Sequence, residues 1–170
     1  MKRCATFSPI ALIVAAALAL SACGFQLRGS SGNDALPFKT VYLGFPDTSP
    51  LGTELKRYIR AGGDTTVVTD MKAAEAILEP LSETREKVIL TLNTQGRVRE
   101  YSLIYKLRFR VRDANNTELL PPTEIMLKRD ITFNESQVMA KEKEEEMLYR
   151  DMQSDLVQQI LRRLAAIKKA

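Results

Sequence analysis

The side chains that most often act in catalysis are scarce in this chain. Its 170 residues include no histidine, and its two cysteines, Cys4 and Cys23, both lie near the N-terminus. Residues 24–170 therefore contain neither a thiol nor an imidazole, the usual ligands of zinc and other transition metals. They also lack the commonest general base and the usual partner of a nucleophilic serine. This composition disfavours an enzyme and predicts no metal site and no cofactor.

The N-terminus has the pattern of a bacterial secretory signal. A charged start is followed by an apolar run from Ile10 to Leu20, which is shorter than the ~20 residues that a membrane-spanning helix needs. The run ends in Leu20-Ser21-Ala22-Cys23, a lipobox in which small residues precede the cysteine. This pattern resembles lipoprotein signals, which implies cleavage after Ala22 and an S-diacylglycerol and an N-acyl group on Cys23. Several acyl chains, at ~0.8 kcal/mol per buried methylene, make such an anchor effectively permanent.

Three segments follow from this pattern. Residues 1–22 are the cleaved signal peptide, residues 23–37 are the lipidated N-terminus and a tether, and residues 38–170 are a single folded domain of ordinary size. The tether contains the run Gly-Ser-Ser-Gly-Asn-Asp at residues 29–34, a composition that loosens structure. Two of the four net positive charges lie in the signal, so the distribution of charge matters more than its total.

The first half of the domain predicts a strand, a helix and a second strand. Apolar residues alternate from Lys39 to Phe45, which is typical of a half-buried strand. Ser49 is a suitable N-cap for an amphipathic helix of about three turns that ends at Gly62-Gly63. Residues 65–69 are all β-branched and predict a short strand. This order favours a crossover between parallel strands.

Two longer strands follow. Residues 76–92 predict one strand that is bulged or exposed at an edge, because Pro80 and a charged run interrupt its apolar residues. After a turn at 93–96, apolar and polar residues alternate from Tyr101 to Arg112, the clearest period of two in the chain. This strand is expected to be a principal strand of an antiparallel sheet with one apolar and one polar face.

The C-terminal part predicts one more strand and a long helix. A turn at 113–116 leads to an alternation that begins after Pro121-Pro122 and runs from Ile125 to Phe133. From about Gln137 to Ile167, apolar residues recur with the period of a helix. The whole pattern predicts an α+β domain in which helices cover one side of a sheet.

Positive charge is concentrated along the principal strand and the turn before it. Its basic residues are Arg97, Arg99, Lys106, Arg108, Arg110 and Arg112. Guanidinium groups bind phosphate through two hydrogen bonds at once, so the patch suits a phosphate-bearing partner. Alternatively, these residues pair with acids on neighbouring strands, such as Glu79 and Glu83. Lys128 and Lys141 add to the patch if their elements lie beside it. We expect no nucleic acid partner, because the lipid anchor places the domain outside the cytoplasm.

Short motifs along the chain resemble those of one protein family. The six residues from Cys23 to Arg28 match a Cys-Gly-aromatic-x-Leu-Arg opening. Ser49-Pro50-Leu51, Glu100-Tyr101 and Ala140-Lys141-Glu142 follow in the same order and spacing. The family is LptE, the lipopolysaccharide-assembly lipoproteins, and the resemblance covers nearly the whole domain.

The resemblance implies both a fold and a function. The fold is α+β, with two helices packed on one face of a mixed four-stranded sheet. The function is that of an outer-membrane lipoprotein on the periplasmic face, which plugs and helps to assemble the LptD β-barrel. It also implies that the protein binds lipopolysaccharide during insertion into the outer leaflet.

The resemblance also suggests binding residues. Two basic positions are associated with lipopolysaccharide binding in the family, and one of them matches Lys141. The other is an arginine just before a turn, where this chain has Thr94, so we expect Arg97 or Arg99 to supply the charge instead. Arg108 and Lys128 complete the candidate set. Cys23 is the expected lipidation site.

Two alternative functions remain open at this point. One is an auxiliary substrate-binding lipoprotein of another envelope transporter. The other is an envelope hydrolase that uses paired carboxylates, either Glu79 with Glu83 or Glu144 with Glu145. These acids lie on ordinary solvated runs, which disfavours the hydrolase.

Overall fold

Five strands, two α-helices and two short 3-10 helices, Met71–Ala73 and Glu135–Gln137, lie within residues 35–168, the part of the chain that a computed structural model describes. The expected signal peptide, Cys23 and the tether up to residue 34 lie outside the described residues. In chain order the elements are β1 (Thr40–Leu43), α1 (Pro50–Gly62), β2 (Thr66–Val68), β3 (Ala76–Leu92), β4 (Val98–Arg112), β5 (Glu118–Thr132) and α2 (Val138–Ala165).

The strands form one mixed sheet in the order β2-β1-β3-β4-β5. β1 pairs in parallel with both β2 and β3, whereas β3, β4 and β5 form an antiparallel meander. The predicted parallel crossover is thus confirmed, because α1 returns the chain so that β2 runs in the direction of β1. The prediction of four strands was wrong. β2 has only three residues, but all three pair with β1 and add a fifth strand at the edge.

The first helix begins and ends where the sequence predicts. The Ser49 hydroxyl accepts a hydrogen bond from the backbone N–H of Gly52 at 3.1 Å, and Pro50 occupies the first helical turn. Gly63 ends the helix with φ of 79°, a left-handed conformation that glycine adopts without strain. Leu55 and Ile59 are buried on one face and attach the helix to the core.

The core lies between the sheet and the two helices. α2 buries Met152, Leu156, Val157, Ile160 and Leu164, the apolar stripe expected from the sequence. Facing them are the alternate residues of β4, namely Leu103, Tyr105, Leu107, Phe109 and Val111, all of which have no exposed surface. Within residues 35–168, no helix has both the length and the apolar composition needed to cross a bilayer.

Both edges of the antiparallel part of the sheet are irregular. β1 pairs with β3 only as far as Leu78, so the rest of β3 is an edge strand, and its register against β4 shifts three times, in keeping with the predicted bulged or exposed edge strand. β5 begins seven residues before Ile125, earlier than predicted, and includes Pro121 and Pro122. Proline is tolerated there because β5 is the other edge strand and its register against β4 shifts at this point.

Candidate functional site

The basic stripe of β4 lies on the sheet face that the helices leave uncovered. It consists of Lys106, Arg108, Arg110 and Arg112, which alternate with the buried residues of the strand. Glu79 on β3 pairs with Arg110 at 2.7 Å and with Arg112 at 2.7 Å. Glu86 pairs with Lys106 at 3.0 Å. Pairing with acids of the neighbouring strand, one of the two sequence interpretations, is thus confirmed for Glu79, and two carboxylates already pair with three of the four basic residues.

The ion pairs of Glu79 predict an acid-dependent contribution to stability. The hydrogen bond from Arg112 lowers the pKa of the Glu79 carboxyl in the folded protein, although burial opposes this effect. The pairs therefore stabilise the fold above the ordinary glutamate pKa of 4.5, and this stabilisation is lost as pH falls through the lowered value. We expect Glu79→Gln to reduce the free energy of unfolding by about 1 kcal/mol at pH 7 and by less at acidic pH.

Denaturant unfolding of the full-length protein in detergent, followed by circular dichroism at both pH values, measures this effect. Glu124→Gln is the control, because the Glu124 carboxylate forms no ion pair among residues 35–168. Equal losses in the two variants at pH 7 would contradict the prediction.

On the helix-covered face, Arg85 organises a polar network. Its guanidinium donates hydrogen bonds to the Tyr105 hydroxyl at 2.9 Å and to the Gln153 side chain at 3.1 Å. The Tyr105 hydroxyl in turn donates to Glu83 at 2.6 Å. Burial and this bond to Glu83 raise the pKa of the Tyr105 hydroxyl, so it remains a donor. The network joins β3 and β4 to α2. Glu83 therefore accepts a hydrogen bond within this network and, contrary to one of the two sequence interpretations, does not pair with the basic stripe.

The carboxylate pairs required for hydrolysis are not assembled. Glu79 lies on the uncovered face of the sheet, whereas Glu83 lies on the helix-covered face. Glu144 and Glu145 are each bound to a different lysine. None of these pairs presents two free carboxylates to one substrate, as general acid and base catalysis needs.

A groove lies where the start of β4 and the end of β5 meet the start of α2. A cavity of about 210 Å³ there is lined by Lys87, Tyr101, Ile131, Phe133, Lys141 and Glu145, among others. The rings of Tyr101 and Phe133 meet edge to face at 5.3 Å between centroids. The Lys87 ammonium lies 4.4 Å from the centroid of the Tyr101 ring, at cation–π distance. Positive charge and aromatic surface are thus adjacent in this cavity.

A second cavity continues the first. Its volume is about 280 Å³, and it shares Thr132, Phe133 and Lys141 with the first cavity. Arg99 and Gln137 are added on the far side. The two cavities together are called the tip groove below.

Three of the predicted binding residues lie at this end of the molecule. Lys141 and Arg99 both line the tip groove, although 42 positions separate them in the chain. The Lys141 ammonium donates to the Thr132 hydroxyl at 3.0 Å and pairs with Glu144 at 2.8 Å. Arg97 lines neither cavity and pairs with Glu135 at 3.1 Å.

The other two predicted binding residues lie elsewhere. Arg108 belongs to the basic stripe on the uncovered sheet face. Lys128 is opposite Ile104 in the register of β4 and β5, so it lies on that same face, where its ammonium is 3.7 Å from Asp130. The structure therefore does not bring Arg108 and Lys128 together with Lys141, because alternation within a strand directs them to the opposite side of the sheet.

Sequence reasoning missed Lys87. The register of the β3–β4 hairpin places Lys87 opposite Leu103, hence on the helix-covered face next to Tyr101. Alternation along β3 could have predicted this face, but the bulges after Pro80 and Ile89 obscure the period of two.

Solved structures of known proteins share this fold. The solution NMR structure of an uncharacterized lipoprotein B from Nitrosomonas europaea is 45% identical, with a TM-score of 0.72, and the match covers 84% of this chain and 91% of that one. The crystal structure of the rare lipoprotein B from Shewanella oneidensis is 26% identical, with a TM-score of 0.64, over 75% of this chain and 94% of that one. A minor lipoprotein from Acinetobacter baumannii is also 26% identical, with a TM-score of 0.63, over 77% and 93% of the two chains. The fold is thus one that lipoproteins of several Gram-negative bacteria share.

Sequence comparison identifies the family. The LptE lipopolysaccharide-assembly model matches residues 38–164, nearly all of the described domain. An LPS-assembly lipoprotein LptE from Yersinia enterocolitica serotype O:8 / biotype 1B is 24% identical over 164 residues, which are 94% of this chain and 76% of the relative. The chain therefore belongs to the LptE family of lipopolysaccharide-assembly lipoproteins, as its short motifs predict.

Proposed function

We propose that this protein is an outer-membrane lipoprotein, acylated at Cys23 and facing the periplasm, that binds lipopolysaccharide and occupies an LptD-like β-barrel. In this role it supports assembly of the barrel and assists insertion of lipopolysaccharide into the outer leaflet. The observation that carries the proposal is the match to the LptE family over residues 38–164. The function is non-covalent: the domain binds its partners through its shape and its cationic side chains, and no covalent bond is made or broken.

The surface of the domain suits the interior of a barrel. The lumen of outer-membrane barrels is polar, so a plug must present a rigid, polar exterior. The uncovered sheet face carries the ion pairs of Glu79 and Glu86, and the exposed side of α2 carries a pair between Arg150 and Glu146. Charges that are already paired within the domain can enter such a lumen without needing partners from the barrel wall.

The tip groove suits the headgroup of lipopolysaccharide. Phosphate groups bind well to ammonium and guanidinium groups that act together, and Lys141 and Arg99 line the same cavity. An ammonium group has three donors, and the two bonds of Lys141 to Thr132 and Glu144 leave one for a ligand. The adjacent rings of Tyr101 and Phe133 offer apolar surface to acyl chains.

The partner is tested by affinity purification of the tagged, full-length lipoprotein from native membranes in mild detergent. We expect one outer-membrane β-barrel protein to be recovered in a 1:1 ratio with it. An unrelated tagged lipoprotein from the same membranes is the control. Recovery of inner-membrane transporter subunits in place of a barrel would overturn the proposal in favour of an auxiliary transport lipoprotein.

A further inference from the structure

Both lysines of the tip groove are bound to carboxylates of the same helix. The Lys87 ammonium pairs with Glu145 at 2.5 Å, and the Lys141 ammonium pairs with Glu144 at 2.8 Å. Glu144 and Glu145 are consecutive residues in the second turn of α2. The two ammonium groups that could bind an anionic ligand are therefore already paired with carboxylates of the protein.

The two ion pairs are held in place by the surrounding fold. The Lys141 side chain is only 18% exposed, and its second bond goes to Thr132 at the end of β5. The Glu145 side chain is 23% exposed and reaches Lys87 across the gap between α2 and β3. Lys87 thus comes from β3, whereas Lys141 and both glutamates come from α2, and Thr132 of the sheet holds Lys141 in place.

We propose that Lys87 is a second anion-binding residue of the tip groove and that Glu145 and Glu144 are built-in competitors for its ligand. The inference rests on the proposed function, because it assigns the ligand of that same groove. The ligand class is an amphiphile with at least two anionic groups, such as a phosphorylated lipid. Its phosphates replace the two carboxylates at the ammonium groups, while its acyl chains lie against Tyr101 and Phe133.

Competition of this kind makes binding weaker and reversible. Each phosphate competes with the glutamate that already pairs with its ammonium partner, so the net gain is smaller than for a lysine without an acidic partner. The displaced carboxylates remain beside the groove and recombine with the lysines when the ligand leaves. A protein that transfers a ligand onward benefits from this exchange, because tight binding slows release.

The experiment measures binding of diphosphoryl lipid A in mixed micelles to the full-length protein in detergent. We expect Glu145→Gln to bind about three-fold more tightly than wild type, and Glu144→Gln similarly, since each removes one competing ion pair. We expect Lys87→Gln to bind several-fold more weakly. Glu146→Gln is the matched control: it removes the same charge from the neighbouring position, but Glu146 pairs with Arg150 instead of a groove lysine.

A double variant separates local competition from a general effect of charge. In the Lys87→Gln background, the gain from Glu145→Gln should disappear, because the competing pair no longer exists. The inference is overturned if Glu145→Gln binds no more tightly than Glu146→Gln, or if its gain persists without Lys87. Thermal unfolding of each variant checks that the fold is retained.

Lys141→Glu distinguishes this inference from the proposed function. If Lys141→Glu weakens binding while the Lys87 and Glu145 variants show no coupling, only the competition is refuted. If Lys141→Glu leaves binding unchanged, lipid binding at the groove and the competition are both refuted.

Discussion

Reversing the charges of Lys141 and Arg99 together is expected to lower the affinity for lipopolysaccharide by about 100-fold. Both side chains line the same cavity, so both can contact one headgroup. Loss of two charge-assisted hydrogen bonds at about 1.5 kcal/mol each corresponds to roughly this factor, before any repulsion is counted. Binding of purified lipopolysaccharide to the detergent-solubilised, full-length protein measures the change.

The chain offers a matched control for this experiment. Arg108→Glu with Lys128→Glu makes the same change in net charge, but both residues lie on the uncovered sheet face. We expect this control to bind nearly as well as wild type. Similar losses in the two double variants would mean that overall charge, and not the tip groove, attracts the lipid. The double variant Lys141→Ala with Arg99→Ala should lose less affinity for lipopolysaccharide. Because it introduces no new charge, a loss of affinity in this variant is not caused by misfolding from charge repulsion.

Replacement of Cys23 is expected to abolish the membrane anchor. The lipobox before Cys23 predicts that this sulfur carries the diacylglycerol, and Cys23→Ala removes the only acceptor at that position. A chain of 16 carbons contributes about 12 kcal/mol at ~0.8 kcal/mol per buried methylene, so its loss is not compensated by weak surface contacts. We expect no incorporation of labelled palmitate into the Cys23→Ala protein.

Cys4→Ala is the control for this prediction. It removes the other cysteine of the chain, within the expected signal peptide, and should leave labelling at the wild-type level. Labelling of Cys23→Ala, or its loss in Cys4→Ala, would refute Cys23 as the acylated residue.

Local patterns predict most of the fold because they report burial directly. The alternation along β4 corresponds to residues that are fully buried and partly exposed in turn, and the caps of α1 lie at Ser49 and Gly63 as expected. Local sequence patterns fail to predict the secondary structure where pairing with a neighbouring strand determines it. β5 continues through Pro121 and Pro122 because it is an edge strand, and the three residues of β2 form a strand because β1 is beside them.

The candidate site could be predicted only in part, because long-range register brings its residues together. The family resemblance singled out Lys141, and the turn suggested Arg99, which lines the same cavity. Lys87 and Glu145 lie 58 positions apart, and no local pattern indicates that they meet. The charge of Arg108 likewise does not indicate that it lies on the other face of the sheet. The alternation of apolar and polar residues along β4 does indicate this.

The position of α2 at the end of the chain affects how the protein is made. This helix supplies five of the buried core side chains, from Met152 to Leu164, so the core against β4 is incomplete until they are in place. Because synthesis runs from the N-terminus, the nascent polypeptide cannot close this core before α2 has emerged from the ribosome.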